Sequence, residues 1–204
     1  MLKPESARFQ RVAQTIDEFM KIDYTGVGLI SHLYTALQKN QPGYSCMGAA
    51  ERLVEAARSK PDQPILIATG FPEGGGVPET DGPIGAALLA RALFLGLGVM
   101  TVIVIDEDWV EMMMATCRGA GLAPRLLPES GKADAIEFLR PVYIKPVSKE
   151  KSACHQASDD LLSITQPSLL LSIERPGCNV NGLYHGLGGR PLDGMVGDLD
   201  YLFN

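Results

Sequence analysis

The sequence has few of the features that mark secreted, membrane-spanning or nucleic-acid-binding chains. Its four cysteines are scattered without C-x-x-C spacing, and no apolar signal-peptide core stands near the N-terminus. The apolar runs are broken by glycine and stay below the roughly 20 residues that a membrane span needs. No block of Lys or Arg occurs, and the formal net charge is −6, which argues against a nucleic-acid partner. We therefore expect a soluble intracellular protein of the cytoplasm or the mitochondrial matrix.

The composition is that of an ordinary globular chain, with 46% hydrophobic and 21% charged residues in a length of 204. This length suits one well-packed domain and is marginal for two. We expect a single domain over residues 1–204, with an N-terminal helical segment at 1–60 and an α/β core at 64–204. Apolar residues at helical spacing over Phe9–Ile22 predict an amphipathic helix, and further helices are expected at Gly26–Leu37 and Ala49–Ser59.

The core alternates between strand and helix patterns. Strands are predicted at Ile65–Thr69, Val99–Ile105, Arg125–Leu127, Val142–Val147 (interrupted by Pro146) and Ser168–Ile173, and helices at Pro83–Leu95, Trp109–Arg118, Ala133–Leu139 and Gln156–Ile164. Strands that alternate with helices imply right-handed crossovers and parallel pairing. The pattern therefore predicts an α/β fold, a three-layer, mostly parallel Rossmann-like sheet with helices on both faces.

A glycine-rich acidic loop follows the first predicted strand, from Phe71 to Pro83. In an open α/β sheet such a loop leaves the carboxyl end of a strand, where ligands bind, and it supplies backbone N–H groups at a helix N-terminus. The loop also carries Glu73, Glu79 and Asp81. These features suit either a carboxylate substrate held by backbone amides or a hard cation held by carboxylates, with Mg²⁺ and Mn²⁺ as the metals to consider.

A second loop on the same side of the sheet follows the last predicted strand and begins with Glu174 and Arg175. We expect both residues to face the glycine-rich loop across the crevice. Arginine offers a planar fork for a carboxylate, and glutamate can act as a base or a metal ligand. A Glu–Arg pair that only fixes the loop is an equally weighted alternative.

Several acidic residues also have a structural interpretation. Thr80 or Asp81, close to Pro83, can cap a helix, and the stretch Asp106-Glu-Asp108 at a strand end is better explained by capping than by a metal cluster. The first loop lacks G-x-G-x-x-G, which weakens any case for a nucleotide, and the histidines and cysteines have no zinc-site spacing.

At these loops the sequence resembles the catalytic domain of the D-glutamate cyclase family. The resemblance spans roughly Ile16 to the C-terminus and is carried by five strings: Thr69-Gly-Phe-Pro72, Glu79-Thr-Asp-Gly-Pro-Ile-Gly-Ala86, Ile173-Glu-Arg-Pro-Gly177, Asn181-Gly-Leu-Tyr184 and Asp198-Leu-Asp-Tyr-Leu-Phe203. The resemblance implies an intracellular lyase, mitochondrial in animals, that converts D-glutamate to 5-oxo-D-proline and water.

Ring closure requires a base for the amine and stabilisation of charge on the carboxyl oxygens. On this basis we expect catalytic roles for Glu79, Asp81 and Glu174. We expect the substrate to be bound by Thr69, Gly70, Gly75, Gly76, Gly82, Arg175 and Tyr184. In this hypothesis the backbone at 74–76 and 82 forms the oxyanion site, and Arg175 holds the α-carboxylate.

Members of the family generally continue into a further strand and a Gly-Asp-Gly-Gly-Asn-Glu loop, whereas this sequence ends at Asn204. We therefore expect a C-terminally truncated member whose site lacks one acidic element. Two alternatives stay open: a catalytically silent relative that binds a small carboxylate or amino acid, and a metal-dependent carboxylate lyase or hydrolase with another substrate. An unpaired sheet edge would favour a homo-oligomer.

Overall fold

The computed structural model describes residues 7–23, 26–40, 45–73, 76–130 and 140–204. The chain divides into two compact units, Met1–Arg58 and Ser59–Asn204. The sequence-based prediction of a single domain stays a prediction. The predicted helix at Ala133–Leu139 and residue Gly75 of the expected site lie outside the described residues.

The first unit is helical. It contains α1 (Ala7–Met20), α2 (Leu29–Asn40) and α3 (Ser45–Ser59, which ends one residue into the second unit). Asp17 of α1 is fully buried and accepts the backbone N–H of Cys46 at 3.2 Å, which joins α1 to the start of α3. None of the described helices in either unit combines the length and apolar character that a membrane span requires.

The second unit is built on a parallel sheet. Its strands are β1 (Ile65–Thr69), β2 (Thr101–Asp106), β3 (Ala123–Leu126), β4 (Pro141–Val147) and β5 (Leu169–Ile173), and its helices are α4 (Asp81–Leu97), α5 (Val110–Gly119) and α6 (Lys151–Thr165). Short 3₁₀ turns occur at Glu107–Trp109, Leu187–Gly189 and Leu199–Phe203. The strand order is β3-β4-β2-β1-β5, and every described pair is parallel.

Alternation along the strands divides the core into two layers. On one face, Leu66, Val104 and Tyr143 pack with Leu161 of α6 and with Leu202 of the C-terminal 3₁₀ turn. The opposite positions, including Ile67 and Ile103, are fully buried on the face that packs against α4, whose buried residues are mostly small. The predicted three-layer α/β fold is confirmed.

Strand β4 runs through Pro146 without interruption, contrary to the break that was expected there. Strand β3 pairs only with residues 141–144, whereas β2 continues alongside as far as Val147. Pro146 therefore lies where β4 has a neighbouring strand on one side only, and at such a position a missing backbone N–H is tolerated.

Candidate active site

The glycine-rich loop after β1 folds back on itself as a short hairpin. Glu79 donates its backbone N–H to Phe71 at 2.8 Å, Glu73 donates its backbone N–H to Val77 at 2.8 Å, and Pro72 pairs with Pro78 in an antiparallel bridge. This pairing brings the Glu73 carboxyl group close enough to that of Glu79 to help raise the pKa of Glu79. The loop is thus an ordered acidic hairpin at the carboxyl end of β1, at least over its described residues.

Trp109, the last residue of the 3₁₀ turn before α5, supports this hairpin. Its indole Nε1–H donates to the carbonyl of Gly76 at 2.9 Å, and its ring packs against Gly70. A Cβ at Gly70 would lie 2.9 Å from that ring, and the φ of Gly70 is +108°. Only glycine fits this position without strain, because the backbone leaves β1 in direct contact with an aromatic face.

Three carboxylates meet where the hairpin joins α4. Glu79, Asp81 and Glu174 each offer an oxygen, and these oxygens all lie within 4.8 Å of one another. Asp81 and Glu174 are exposed, and Glu79 is half-buried. The structure therefore brings together the three residues that the sequence predicts to be catalytic, from two loops 95 positions apart (174 minus 79) in the chain.

The carboxylate cluster borders an open cleft of about 440 Å³. The cleft is lined by Glu73, Val77, Pro78, Glu79, Thr80 and Asp81. None of these lining residues is cationic. The field in the cleft therefore favours a cationic group, such as an ammonium or a divalent metal ion.

The pKa of Glu79 is raised above its ordinary value of 4.5. Partial burial is the main cause, and the hydrogen bond and charge of Glu73 add to it, followed by the charges of Asp81 and Glu174. A carboxyl group with a raised pKa in a cleft is suited to accept and return protons.

Three carboxylate oxygens at this separation match the ligand preference of hard divalent cations, which bind oxygen donors. The donor set thus fits Mg²⁺ or Mn²⁺. Glu79, Asp81 and Glu174 are the residues that would hold such an ion.

The close contact between α4 and Glu174 depends on Gly82. A Cβ at Gly82 would lie 2.7 Å from the Cβ of Glu174 and 2.9 Å from Oγ1 of Thr69. Thr69 is fully buried, and its hydroxyl has no hydrogen-bond partner among the described residues. These two expected substrate-binding residues therefore lie directly beneath the carboxylate cluster.

The backbone N–H of Gly82, which was expected to serve an oxyanion site, donates to the Asp81 carboxylate at 3.0 Å. That bond is the single cap-like contact described in the first turn of α4, because Thr80 forms no side-chain cap there. The capping alternative is thus wrong for Thr80. For Asp81, capping explains only the hydrogen bond from the backbone N–H of Gly82. It does not explain why the Asp81 carboxylate lies close to those of Glu79 and Glu174.

Arg175 does not face the cleft as expected. Its side chain is 3% exposed and pairs with the fully buried Asp106, and the same guanidinium donates to the carbonyl of Gly197 at 2.7 Å. The nitrogen that pairs with Asp106, Nη1, also reaches the carbonyls of Thr69 and Gly70 at 3.5 and 3.4 Å. Both terminal nitrogens are therefore engaged, which contradicts the predicted carboxylate clamp. The loop-fixing alternative agrees with these contacts, except that the partner is Asp106 and not Glu174.

Asp106 therefore is not the helix cap that its position suggested. It makes no side-chain cap bond to the following 3₁₀ turn, and one of its oxygens accepts the backbone N–H of Gly197 at 2.6 Å. The next acids in the stretch are exposed, and Asp108 pairs with Lys149 on the surface. The reason is energetic, because leaving a buried carboxylate without a charged partner destabilises the fold more than leaving a solvent-exposed helix end without a cap.

Tyr184, expected to bind substrate, has its hydroxyl bonded to Asp198 at 2.6 Å. Asp198 also accepts from His155 at 2.9 Å and pairs with Lys151 at 3.2 Å. Burial acts to raise the pKa of Asp198, but these three hydrogen bonds outweigh it and hold the pKa below its ordinary value. Burial and the bond to Asp198 raise the pKa of Tyr184. This group joins α6 to the C-terminal segment, and the substrate role of Tyr184 stays a prediction.

Glu73 and Asp106 are the residues of the site region whose positions the sequence did not reveal. Two Pro-Glu pairs, Pro72-Glu73 and Pro78-Glu79, flank the glycine tip, and this repetition was an available signal for a hairpin that pairs the two glutamates. For Asp106 the signal was an acid directly after a fully apolar strand.

Comparison with known proteins agrees with the geometry at the carboxyl end of the sheet. No curated protein matches the chain. The family described as "D-glutamate cyclase-like, C-terminal" matches residues 16–204, which include β1, the acidic hairpin, Glu174 and the C-terminal segment. The chain therefore belongs to the D-glutamate cyclase-like C-terminal family.

Proposed function

We propose that this chain is a lyase of the D-glutamate cyclase type, which converts D-glutamate to 5-oxo-D-proline and water. The observation that carries the proposal is the cluster of Glu79, Asp81 and Glu174 beside an open cleft in a member of this family. The family supports a lyase in general terms. The substrate and the reaction are the proposal.

The reaction forms one N–C bond and breaks one C–O bond. The α-nitrogen attacks the γ-carboxyl carbon, the ammonium gives up two protons, and both protons end on the departing carboxyl oxygen, which leaves as water. No co-reactant is consumed. Because the attack is intramolecular, a site that holds the substrate folded supplies much of the rate advantage.

Asp81 and Glu174 are assigned to the substrate ammonium, since both are exposed acids of the carboxylate cluster and none of the described residues that line the adjacent cleft is cationic. Proton transfer is assigned to the Glu79–Glu73 pair, since the pKa of Glu79 is raised and Glu73 contributes to that rise. A bound Mg²⁺ or Mn²⁺ would supply positive charge near the carboxyl oxygens of the substrate. Such an ion would be held by Glu79, Asp81 and Glu174 together and would therefore take the place of the ammonium at Asp81 and Glu174, with Glu73 as the acid left for proton transfer.

The test is to incubate the purified protein with D-glutamate and, separately, with L-glutamate, each with and without Mg²⁺ or Mn²⁺. Chiral chromatography of 5-oxoproline gives the readout. We expect product from the D-enantiomer and little from the L-enantiomer. A folded sample that forms no product from either enantiomer under any metal condition would contradict the proposal.

A binding role without catalysis is the second candidate, and the engagement of Arg175 by Asp106 favours it. With that guanidinium buried, a substrate carboxylate lacks the cationic partner expected from the sequence. Calorimetric titration with D-glutamate distinguishes the candidates, because a silent relative binds the amino acid and releases no 5-oxoproline.

The raised pKa of Glu79 predicts the pH dependence of turnover. Glu79 must be a carboxylate to accept a proton, so kcat/KM should fall as the pH decreases through its raised pKa. Glu73→Gln removes one of the causes of that shift, and we expect the acidic limb of the profile to move to lower pH. A pH–rate profile of both proteins checks this, and an acidic limb that stays in place or moves to higher pH would contradict the assignment.

The same shift has a consequence for stability. Because the folded-state pKa of Glu79 is raised, the stabilisation from its protonated form is complete below the unfolded pKa and is lost as the pH rises through the folded pKa. Glu79→Gln should therefore raise Tm relative to the unmodified protein at pH 7 and leave it nearly unchanged at pH 4.

A further inference from the structure

Glu174 has an unusual backbone conformation. Its φ is +44°, and Gln166 is the other non-glycine residue with positive φ among the described residues. Gln166 caps the C-terminus of α6, where this conformation is common, whereas Glu174 directly follows β5. A residue in this region is strained and persists only where its surroundings hold it in place.

Two sets of contacts hold Glu174. Its carbonyl accepts the backbone N–H of Gly70 at 3.1 Å, which ties it to the end of the neighbouring strand β1. The next residue, Arg175, extends its buried guanidinium to Asp106 and to the carbonyl of Gly197. The backbone on both sides of the Glu174 side chain is therefore anchored.

The anchor crosses the carboxyl end of the sheet. Strands β2 and β5 lie on opposite sides of β1, and Asp106 ends β2 whereas Arg175 follows β5. The guanidinium passes close to the carbonyls of Thr69 and Gly70 at the end of β1. One ion pair thus fixes the relative positions of three strand ends.

The consequence of this anchor is the direction of the Glu174 side chain. The Cβ of Glu174 lies 2.7 Å from the place that a Cβ of Gly82 would take, at the start of α4. From there its carboxylate reaches Glu79 and Asp81. The ion pair itself is buried, with Asp106 at 0% and Arg175 at 3% side-chain exposure, so neither residue is available to a ligand in the cleft.

We propose that Asp106 is a positioning residue that acts through Arg175 to hold Glu174 in its left-handed conformation and thereby to complete the carboxylate cluster. The catalytic consequence of this inference rests on the proposed function. Its geometric part does not, and it can be tested separately.

The test uses two variants and one control. Asp106→Asn removes the charge that faces Arg175. In case this variant fails to fold, the double variant Asp106→Leu/Arg175→Met replaces the ion pair by apolar side chains of similar size, a change that buried pairs often tolerate. The control is Asp108→Asn, which alters an exposed acid two positions along the chain whose partner is Lys149.

The first readout is the crystal structure of the folded variant. We expect residue 174 to leave the left-handed region and its carboxylate to move beyond 4.8 Å from that of Asp81, the limit within which the cluster oxygens now lie. A folded variant in which Glu174 keeps its φ and its place beside Asp81 would overturn the inference, whatever the activity of the protein.

The second readout is steady-state turnover of D-glutamate. We expect kcat/KM to fall at least about tenfold in both variants, mainly through a higher KM because Glu174 is assigned to the substrate ammonium, and to stay within about twofold in Asp108→Asn. If Glu174 is displaced and turnover is unchanged, Asp106 does not position a catalytic group and the inference fails. If the unmodified protein itself has no turnover, the proposed function fails, and the crystal structure alone decides the geometric part.

Discussion

Asp81→Asn is expected to reduce kcat/KM for D-glutamate by about 10–10²-fold while the protein keeps its fold, the loss typical of one hydrogen bond to a charged group. Asp81 is the first residue of α4, and its carboxylate is exposed and close to those of Glu79 and Glu174. Asparagine has the same shape and removes the charge that we assign to the substrate ammonium. An amide oxygen can still accept the N–H of Gly82, so the local bond within α4 is retained.

Steady-state kinetics and thermal unfolding check this result together. The matched control is Asp62→Asn, which alters another exposed acid, in the turn before β1. We expect Tm to be unchanged or slightly raised in Asp81→Asn, because the substitution relieves repulsion among the clustered carboxylates. Turnover within about twofold of the unmodified protein would remove Asp81 from the catalytic residues.

Gly82→Ala should impair both the fold and the reaction. The new methyl group would lie 2.7 Å from the Cβ of Glu174 and 2.9 Å from Oγ1 of Thr69, which are distances that carbon atoms do not adopt without a shift. Thr69 is fully buried in β1, and Glu174 is held by its bond to Gly70. We expect a loss of about 1–3 kcal/mol in the free energy of unfolding, typical of overpacking. Displacement of Glu174 should also lower turnover.

The control for this prediction lies three residues further along the same helix. A Cβ at Gly85 would meet Ile173 at 3.6 Å, an ordinary van der Waals contact. Gly85→Ala should therefore gain about 0.5–1 kcal/mol from the higher helix propensity of alanine. Urea denaturation of both variants gives the comparison, and equal stability of the two would show that the space above Gly82 is not restricted.

The sequence predicted the layers of the second unit and not its strand order. The apolar runs that become β1 and β2 are recognisable because central parallel strands are buried on both faces. The insertion of β4 between β2 and β3 has no local signature, since strand order is decided by crossover connections and packing. Helix α6 begins at Lys151, before the predicted Gln156, because the Glu150 side chain accepts the N–H groups of Ser152 and Ala153 and caps it.

The sequence predicted the site residues whose positions follow from the ends of the strands. It did not predict the contacts between residues that are distant in the chain. Glu79, Asp81 and Glu174 were found because strand-end loops of a parallel sheet meet at one edge. The partner of Arg175 could not be found in this way, because Asp106 lies 69 positions away and its burial becomes visible only in three dimensions. In the sequence, an acidic residue that caps a helix after a strand cannot be distinguished from one that forms a buried ion pair.

The bridge from Asp106 to Arg175 and Gly197 also bears on how the chain folds during synthesis. When β1, the acidic hairpin and α4 have left the ribosome, the chain contains Glu79 and Asp81 but not yet Glu174. When Asp106 follows, its partners Arg175 and Gly197 have not yet been synthesised. The nascent chain thus carries an incomplete carboxylate cluster until residues 174–197 emerge. Any ligand that requires all three carboxylates can bind only after that segment has been translated, so ligand binding cannot assist the earlier steps of folding.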